Sequence, residues 1–117
     1  MSLKHEKYQG LATLLEKLRS DAITTELDAV QLKQHLASLQ QFFRQQIVPL
    51  ADADSKEQSY RTEMSKQLRL LEIDVMFFQG ARQPATAQAR LQTIGDRLTT
   101  LLKYCDAILQ QEDNGEK

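Results

Sequence analysis

The chain has 117 residues, of which 41% are hydrophobic and 26% charged, and its formal net charge is −1. That length suits one domain with one continuous core, and the near-neutral balance excludes a polyanion binder held by bulk attraction. A single cysteine excludes an internal disulfide and fits a reducing compartment.

Four glycines and two prolines are the strong breakers, and β-branched residues never alternate, which argues against strands. The spacing predicts a first helix from about Leu3 to Ala22, with Tyr8, Leu11, Leu15, Leu18 and Ala22 on one face. Gly10 weakens its first half. Thr25 with Asp28 resembles a capping box and opens a second helix that buries Ala29, Leu32, Leu36, Leu39, Phe43 and Ile47. Pro49 stops that helix, because it disfavours helical geometry at Val48, and Leu50 to Asp54 form a polar connection. Ser55 with Gln58 reads as a second capping box and starts the third helix, whose main stripe is Tyr60, Met64, Leu68, Leu71, Val75 and Phe78. Leu70, Ile73 and Phe77 form a surplus stripe beside it. Gly80 and Pro84 bracket the next break, and the fourth helix begins at Pro84 or Thr86. Along it, Ala87, Leu91, Ile94, Leu98, Leu101, Cys105 and Ile108 are spaced alternately by four and three, a seam for packing against near-parallel neighbours. Residues 112–117 read as a disordered acidic tail.

These elements predict an all-α fold, an antiparallel up-down four-helix bundle over residues 1–111. Helices two to four should each run about 22 to 27 residues, and the first should be shorter. A three-helix bundle with a loose first helix is the structural alternative. Met1 to Glu6 carries no apolar run behind its charges, unlike a secretory signal, and no stretch reaches the roughly twenty apolar residues of a membrane span. The resulting expectation is a cytoplasmic protein.

No catalytic constellation stands out. A di-iron bundle needs Glu-x-x-His on two helices, and neither His5 nor His35 has a glutamate three residues before it. A zinc site fails for the same shortage of ligands, so neither a metal nor another cofactor is expected. Cys105 sits on the seam and reads as a small core hydrophobe. His35 is the one candidate for chemistry, since helical bundles of this size also serve in histidine phosphotransfer. Those domains follow the histidine with a lysine and a glycine, whereas Ser38 and Leu39 stand here.

Between residues 56 and 103 basic side chains outnumber acidic ones. Arg82, Arg90 and Arg97 cluster around the start of the fourth helix, and Arg61 and Arg69 lie on the third. Glu72 and Asp96 are available to them as surface ion-pair partners. No aromatic residues interleave with these arginines, which argues against nucleic acid. The surplus stripe has two readings: a central helix covered on both sides, or an exposed protein-binding or self-association patch. Gln40, Gln41, Gln45 and Gln46 add an uncharged polar surface suited to protein contact. The candidate protein-binding residues are Phe77, Arg82, Arg90 and Arg97. Leu98 is expected to be intolerant of truncation, and its neighbour Arg97 to be a surface residue worth about 0.5 kcal/mol or less.

The stretch from Gln58 to Leu109 resembles the heterocyst frequency control protein PatD family of cyanobacteria. The resemblance is carried by Gln67-Leu68-Arg69-Leu70-Leu71, Asp74-Val75-Met76-Phe77-Phe78 and Ala81-Arg82-Gln83-Pro84-Ala85-Thr86, with Arg97-Leu98 and Tyr104-Cys105-Asp106-Ala107-Ile108-Leu109. It implies a non-enzymatic cytoplasmic regulator that binds the tubulin-like division protein FtsZ, modulates its assembly and limits heterocyst frequency. It assigns no functional residues position by position. Phosphotransfer through His35, or a structural subunit of a larger assembly, are the alternatives that the residues leave open.

Overall fold

The computed structural model describes residues 3–24 and 28–115, without the side chains of residues 23–24 and 112–115. Every regular element among the described residues is helical: α1 (Leu3–Thr24), α2 (Ala29–Phe42) running into a π-helical turn (Phe43–Ile47), α3 (Ser55–Gly80) and α4 (Pro84–Gly115). Each helix has two neighbours, since α1 packs on α2 and α4, and α3 packs on the same two. Among the described residues the diagonal pairs do not approach through their backbones. The molecule is a rod of 52 × 22 × 19 Å, and α4 alone spans about 48 Å of that length at 1.5 Å per residue.

The stripes read from the sequence face inward. Leu11 and Leu15 of α1 meet Leu32, Leu36 and Leu39 of α2, Met64, Leu68, Leu71 and Val75 of α3, and the α4 seam from Ile94 to Ile108 in one core. Tyr8 and Leu15 have no exposed surface, so α1 is an integral wall rather than a loose appendage. The relative lengths differ from expectation. α1 has 22 residues, whereas α2 has 14 before its geometry widens at Phe43. The widened turn ends with the Val48 amide donating to the Phe43 carbonyl at 3.0 Å. It keeps both Phe43 and Ile47 buried, and Pro49, with no amide hydrogen, ends the helix.

The caps also shift by a few residues. Asp28, not Thr25, caps α2: its carboxylate accepts from the Gln31 amide at 2.8 Å and the Gln31 side chain returns to the Asp28 amide. Thr25 lies outside the described residues. Asp54, not Ser55, caps α3 by accepting from the Glu57 amide at 2.8 Å. In both places a carboxylate accepts from an amide at the positive end of the helix, where negative charge is stabilising. α4 continues to Gly115. The side chains of the expected tail, residues 112–117, lie outside those described.

Two helical glycines differ in their surroundings. A Cβ on Gly95, inside α4, would meet nothing within 4 Å. Gly95→Ala should therefore stabilise the protein by about 0.5–1 kcal/mol through helix propensity. A Cβ on Gly10 would lie 3.0 Å from Cζ of Phe42, so Gly10→Ala should gain less. Urea melts of the two variants check the contrast.

Candidate functional site

The surplus stripe of α3 lies at the surface. Ile73 is 39% exposed, Phe77 53% and the adjacent Met76 62%, while Leu70 is half-buried. The reason is geometric: α3 has two neighbours, and both pack on the arc that carries Met64, Leu68, Leu71 and Val75. Arg90 reaches across from α4 and places its guanidinium carbon 4.6 Å from the centre of the Phe77 ring, a cation–π contact worth about 0.5–1 kcal/mol at an exposed position. Arg90 also lines, with Ala85, Thr86, Ala89 and Thr93, a shallow depression of about 340 Å³. Arg82, in the connection between α3 and α4, is exposed.

The third arginine of the cluster has a different role. Arg97 pairs through Nε with Oδ2 of Asp74, whose side chain is 5% exposed. It also donates from a terminal nitrogen to Oε1 of Gln67 at 3.4 Å. Arg97 thus neutralises a buried carboxylate and is not a plain surface residue. Arg61 and Arg69 also differ from each other, because Arg69 is exposed whereas Arg61 enters an ionic cluster.

That cluster was not anticipated from the sequence. At the far end of the rod, Glu57 is buried and takes three donors: Lys4 Nζ at 2.9 Å, the Tyr8 hydroxyl at 2.8 Å and an Arg61 guanidinium nitrogen at 2.6 Å. Arg61 Nε donates to the Tyr8 oxygen at 2.8 Å, and another of its nitrogens reaches the Leu50 carbonyl at 3.1 Å. Lys4 donates to the carbonyl of Asp52, a residue held at φ 63 in a region that aspartate tolerates better than most side chains. Side chains alone thus tie α1 diagonally to α3 and pin the connection before α3. The only sequence signals were Lys4/Tyr8 and Glu57/Arg61, each at an i,i+4 spacing that puts two side chains on one face.

Burial by itself pushes the Glu57 carboxyl up, but the hydrogen bonds from Lys4, Tyr8 and Arg61 more than offset it and hold the group below its usual range. Burial pushes the Tyr8 hydroxyl well up, with the Glu57 charge adding to it against the Arg61 hydrogen bond. A depressed carboxyl contributes stability that is present above its unfolded value and lost as pH falls through the folded one. Wild type should therefore lose stability relative to Glu57→Gln as pH falls below 4.5, the ordinary value for this carboxyl, and the difference should be flat above it. Urea melts from neutral to acid pH measure this. A constant difference throughout would show that Glu57 does not titrate with unfolding.

Residues 11–102 match the CRR41 C-terminal domain family. The chain belongs to that family. No curated protein and no solved structure matches the chain. The span matched by the CRR41 C-terminal domain takes in Phe77, Arg82, Arg90 and Arg97 together with Glu57 and Arg61, whereas Lys4 and Tyr8 precede it.

The other candidates for chemistry are placed as follows. Cys105 is fully buried on the α4 seam, and burial, with a smaller contribution from Asp106, pushes its thiol up to about 12. A thiol so placed is protonated and a poor nucleophile. His35 is exposed on α2, beside a shallow hollow shared with Leu14, Lys17 and Leu18 of α1. An open groove of about 830 Å³ runs between α1 and α4, with Glu16, Lys17, Asp21 and Lys103 among its mixed charges. Among the described residues no three His, Cys, Asp or Glu side chains group to hold a metal ion, and no helix is long and apolar enough to cross a membrane.

Proposed function

We propose that this chain is a non-enzymatic binding module, an antiparallel up-down bundle that presents the Phe77 and Arg90 face of α3 and α4 to a protein partner. The observation that carries this reading is the exposure of Ile73, Met76 and Phe77 together beside Arg90. Isolated apolar residues at a surface are ordinary, but contiguous ones beside charge mark interaction sites. The order of contacts supports the antiparallel arrangement. Tyr60 meets Tyr104, Asp74 meets Arg97 and Phe77 meets Arg90, so positions ascend in α3 as they descend in α4. Gly10 against Phe42 and Lys7 against Gln46 run the same way in α1 and α2.

The partner we propose is FtsZ in the cytoplasm, with an effect on its assembly linked to heterocyst frequency. The support for that identity is the resemblance to the PatD family between Gln58 and Leu109, a stretch that contains the exposed face. Purified protein added to FtsZ with GTP should change the pelleted fraction or the light scattering of filaments. No change, together with no heat of binding in calorimetry, would sink the partner. Transfer of phosphate to His35 from a phosphorylated response regulator, lost in His35→Gln, would overturn the non-enzymatic reading itself.

A further inference from the structure

We propose that the outer face shared by α3 and α4 docks an amphipathic helix whose apolar stripe is flanked by carboxylates. The inference rests on the reading of the chain as a protein-binding module and adds the chemistry of what it binds. Two rows of side chains make the face. Leu70, Ile73 and Phe77 recur at i, i+3 and i+7 on α3, and form an apolar ridge. Ala85, Ala89 and Thr93 recur every four residues on α4 and line, with Arg90, a depression on that helix. Arg90 belongs to both, lying over the Phe77 ring and lining the depression.

The form of the partner follows from the backbone. Helix interiors satisfy their own amides and carbonyls, so this face offers no edge for an added strand. Recognition must come from side chains. Small residues on α4 allow close approach, and the ridge on α3 gives the approaching element an apolar flank. A helix lying along the pair matches both rows with its own i, i+3, i+4 and i+7 positions.

The charge of the partner follows from the sequence. Between Val75 and Gly95 the only charged residues are Arg82 and Arg90. The nearest carboxylates are engaged elsewhere, with Asp74 held by Arg97 and Asp96 accepting from Gln92. Among the described residues no carboxylate pairs with Arg82 or Arg90. The Phe77 ring is met by the Arg90 guanidinium carbon, and a guanidinium in a cation–π contact can still give two N–H donors to one carboxylate. A second copy of the chain is disfavoured as the occupant, because a symmetric contact through this face would set arginines against arginines.

The test is a displayed library of helical peptides with leucine fixed at i, i+3, i+4 and i+7 and flanking positions free among Glu, Gln and Lys, selected on the full chain. Enrichment of Glu at the flanks is the expected result. A selected peptide should bind Phe77→Ala and Arg90→Glu at least about tenfold more weakly at low salt, and the Arg90 effect should shrink at high salt. Its Glu-to-Lys counterpart should regain affinity for Arg90→Glu. Circular dichroism melts confirm that the two variants are folded. Enrichment of Lys, no charge preference, or binding indifferent to both substitutions would overturn the proposal. So would sedimentation showing a dimer that Phe77→Ala dissolves, because the occupant would then be a second copy. Failure of the FtsZ assay alone leaves this result standing, and FtsZ binding that survives both substitutions removes the site while keeping the partner.

Discussion

Arg61→Ala should destabilise the protein by about 3 kcal/mol or more, in the range seen when one member of a buried ionic pair is removed. The substitution strips Glu57 of its closest donor, at 2.6 Å, and the Tyr8 oxygen of another at 2.8 Å. It also releases the Leu50 carbonyl. Lys4 and Tyr8 still reach Glu57, which limits the loss. Arg69→Ala, on the exposed side of the same helix, should change stability by no more than about 0.5 kcal/mol. Urea denaturation of the two variants separates them, and equal midpoints would show that the cluster adds no net stability. Tyr8→Phe keeps the ring and removes the hydroxyl, so it should fall between the two.

The second large effect belongs to Leu98, which has no exposed surface and sits mid-seam on α4. Leu98→Ala should lower stability by about 3–5 kcal/mol through lost burial and a residual cavity. Its neighbour sharpens the comparison. From the sequence Arg97 reads as a surface residue with a negligible effect, but the structure sets its guanidinium on a carboxylate that is 5% exposed. Arg97→Ala should therefore cost about 2–3 kcal/mol, because the buried Asp74 side chain is left without its partner. Asp74→Asn in the same chain should recover part of that loss, and a double-mutant cycle measures the coupling. Additive effects of the two substitutions would contradict a direct interaction between them.

The exposed face and the ionic cluster lie at opposite ends of α3, a separation that bears on the proposed binding role. The Lys4, Tyr8, Glu57 and Arg61 end is held by buried charge and by the core beneath it. Among the described residues, the polar contacts near the Phe77 end include the Arg97 pairing with Asp74 and the Arg90 contact on the Phe77 ring. Under the proposed binding role, the energy at that end would come from Phe77 and Arg90, residue types that anchor interfaces most often.

The sequence by itself determined the helices and the faces they bury. Leu11, Leu15 and Leu18, the α2 stripe from Leu32 to Ile47, and the seam from Ile94 to Ile108 were legible because apolar side chains must share one arc of a helix to leave water. The surplus of Leu70, Ile73 and Phe77 was legible for the same reason, and so was the burial of Cys105. Whether that surplus was covered was not legible, because periodicity reports how wide an apolar arc is and says nothing of which neighbour lies over it. The caps at Asp28 and Asp54 were missed by a few residues, since serine, threonine and aspartate compete for the same amides and backbone geometry chooses among them. Only the tertiary structure decided the fate of the charges. Glu57 and Asp74 look like surface carboxylates in the sequence, and Arg97 like a surface arginine. Glu57 has one partner on its own helix, Arg61, but Lys4 and Tyr8 come to it from α1, and Arg97 comes to Asp74 from α4. Spacing along α3 could supply Arg61 to Glu57, but burial also needs counter-charges and donors from neighbouring helices, and their distances are fixed by how the helices pack.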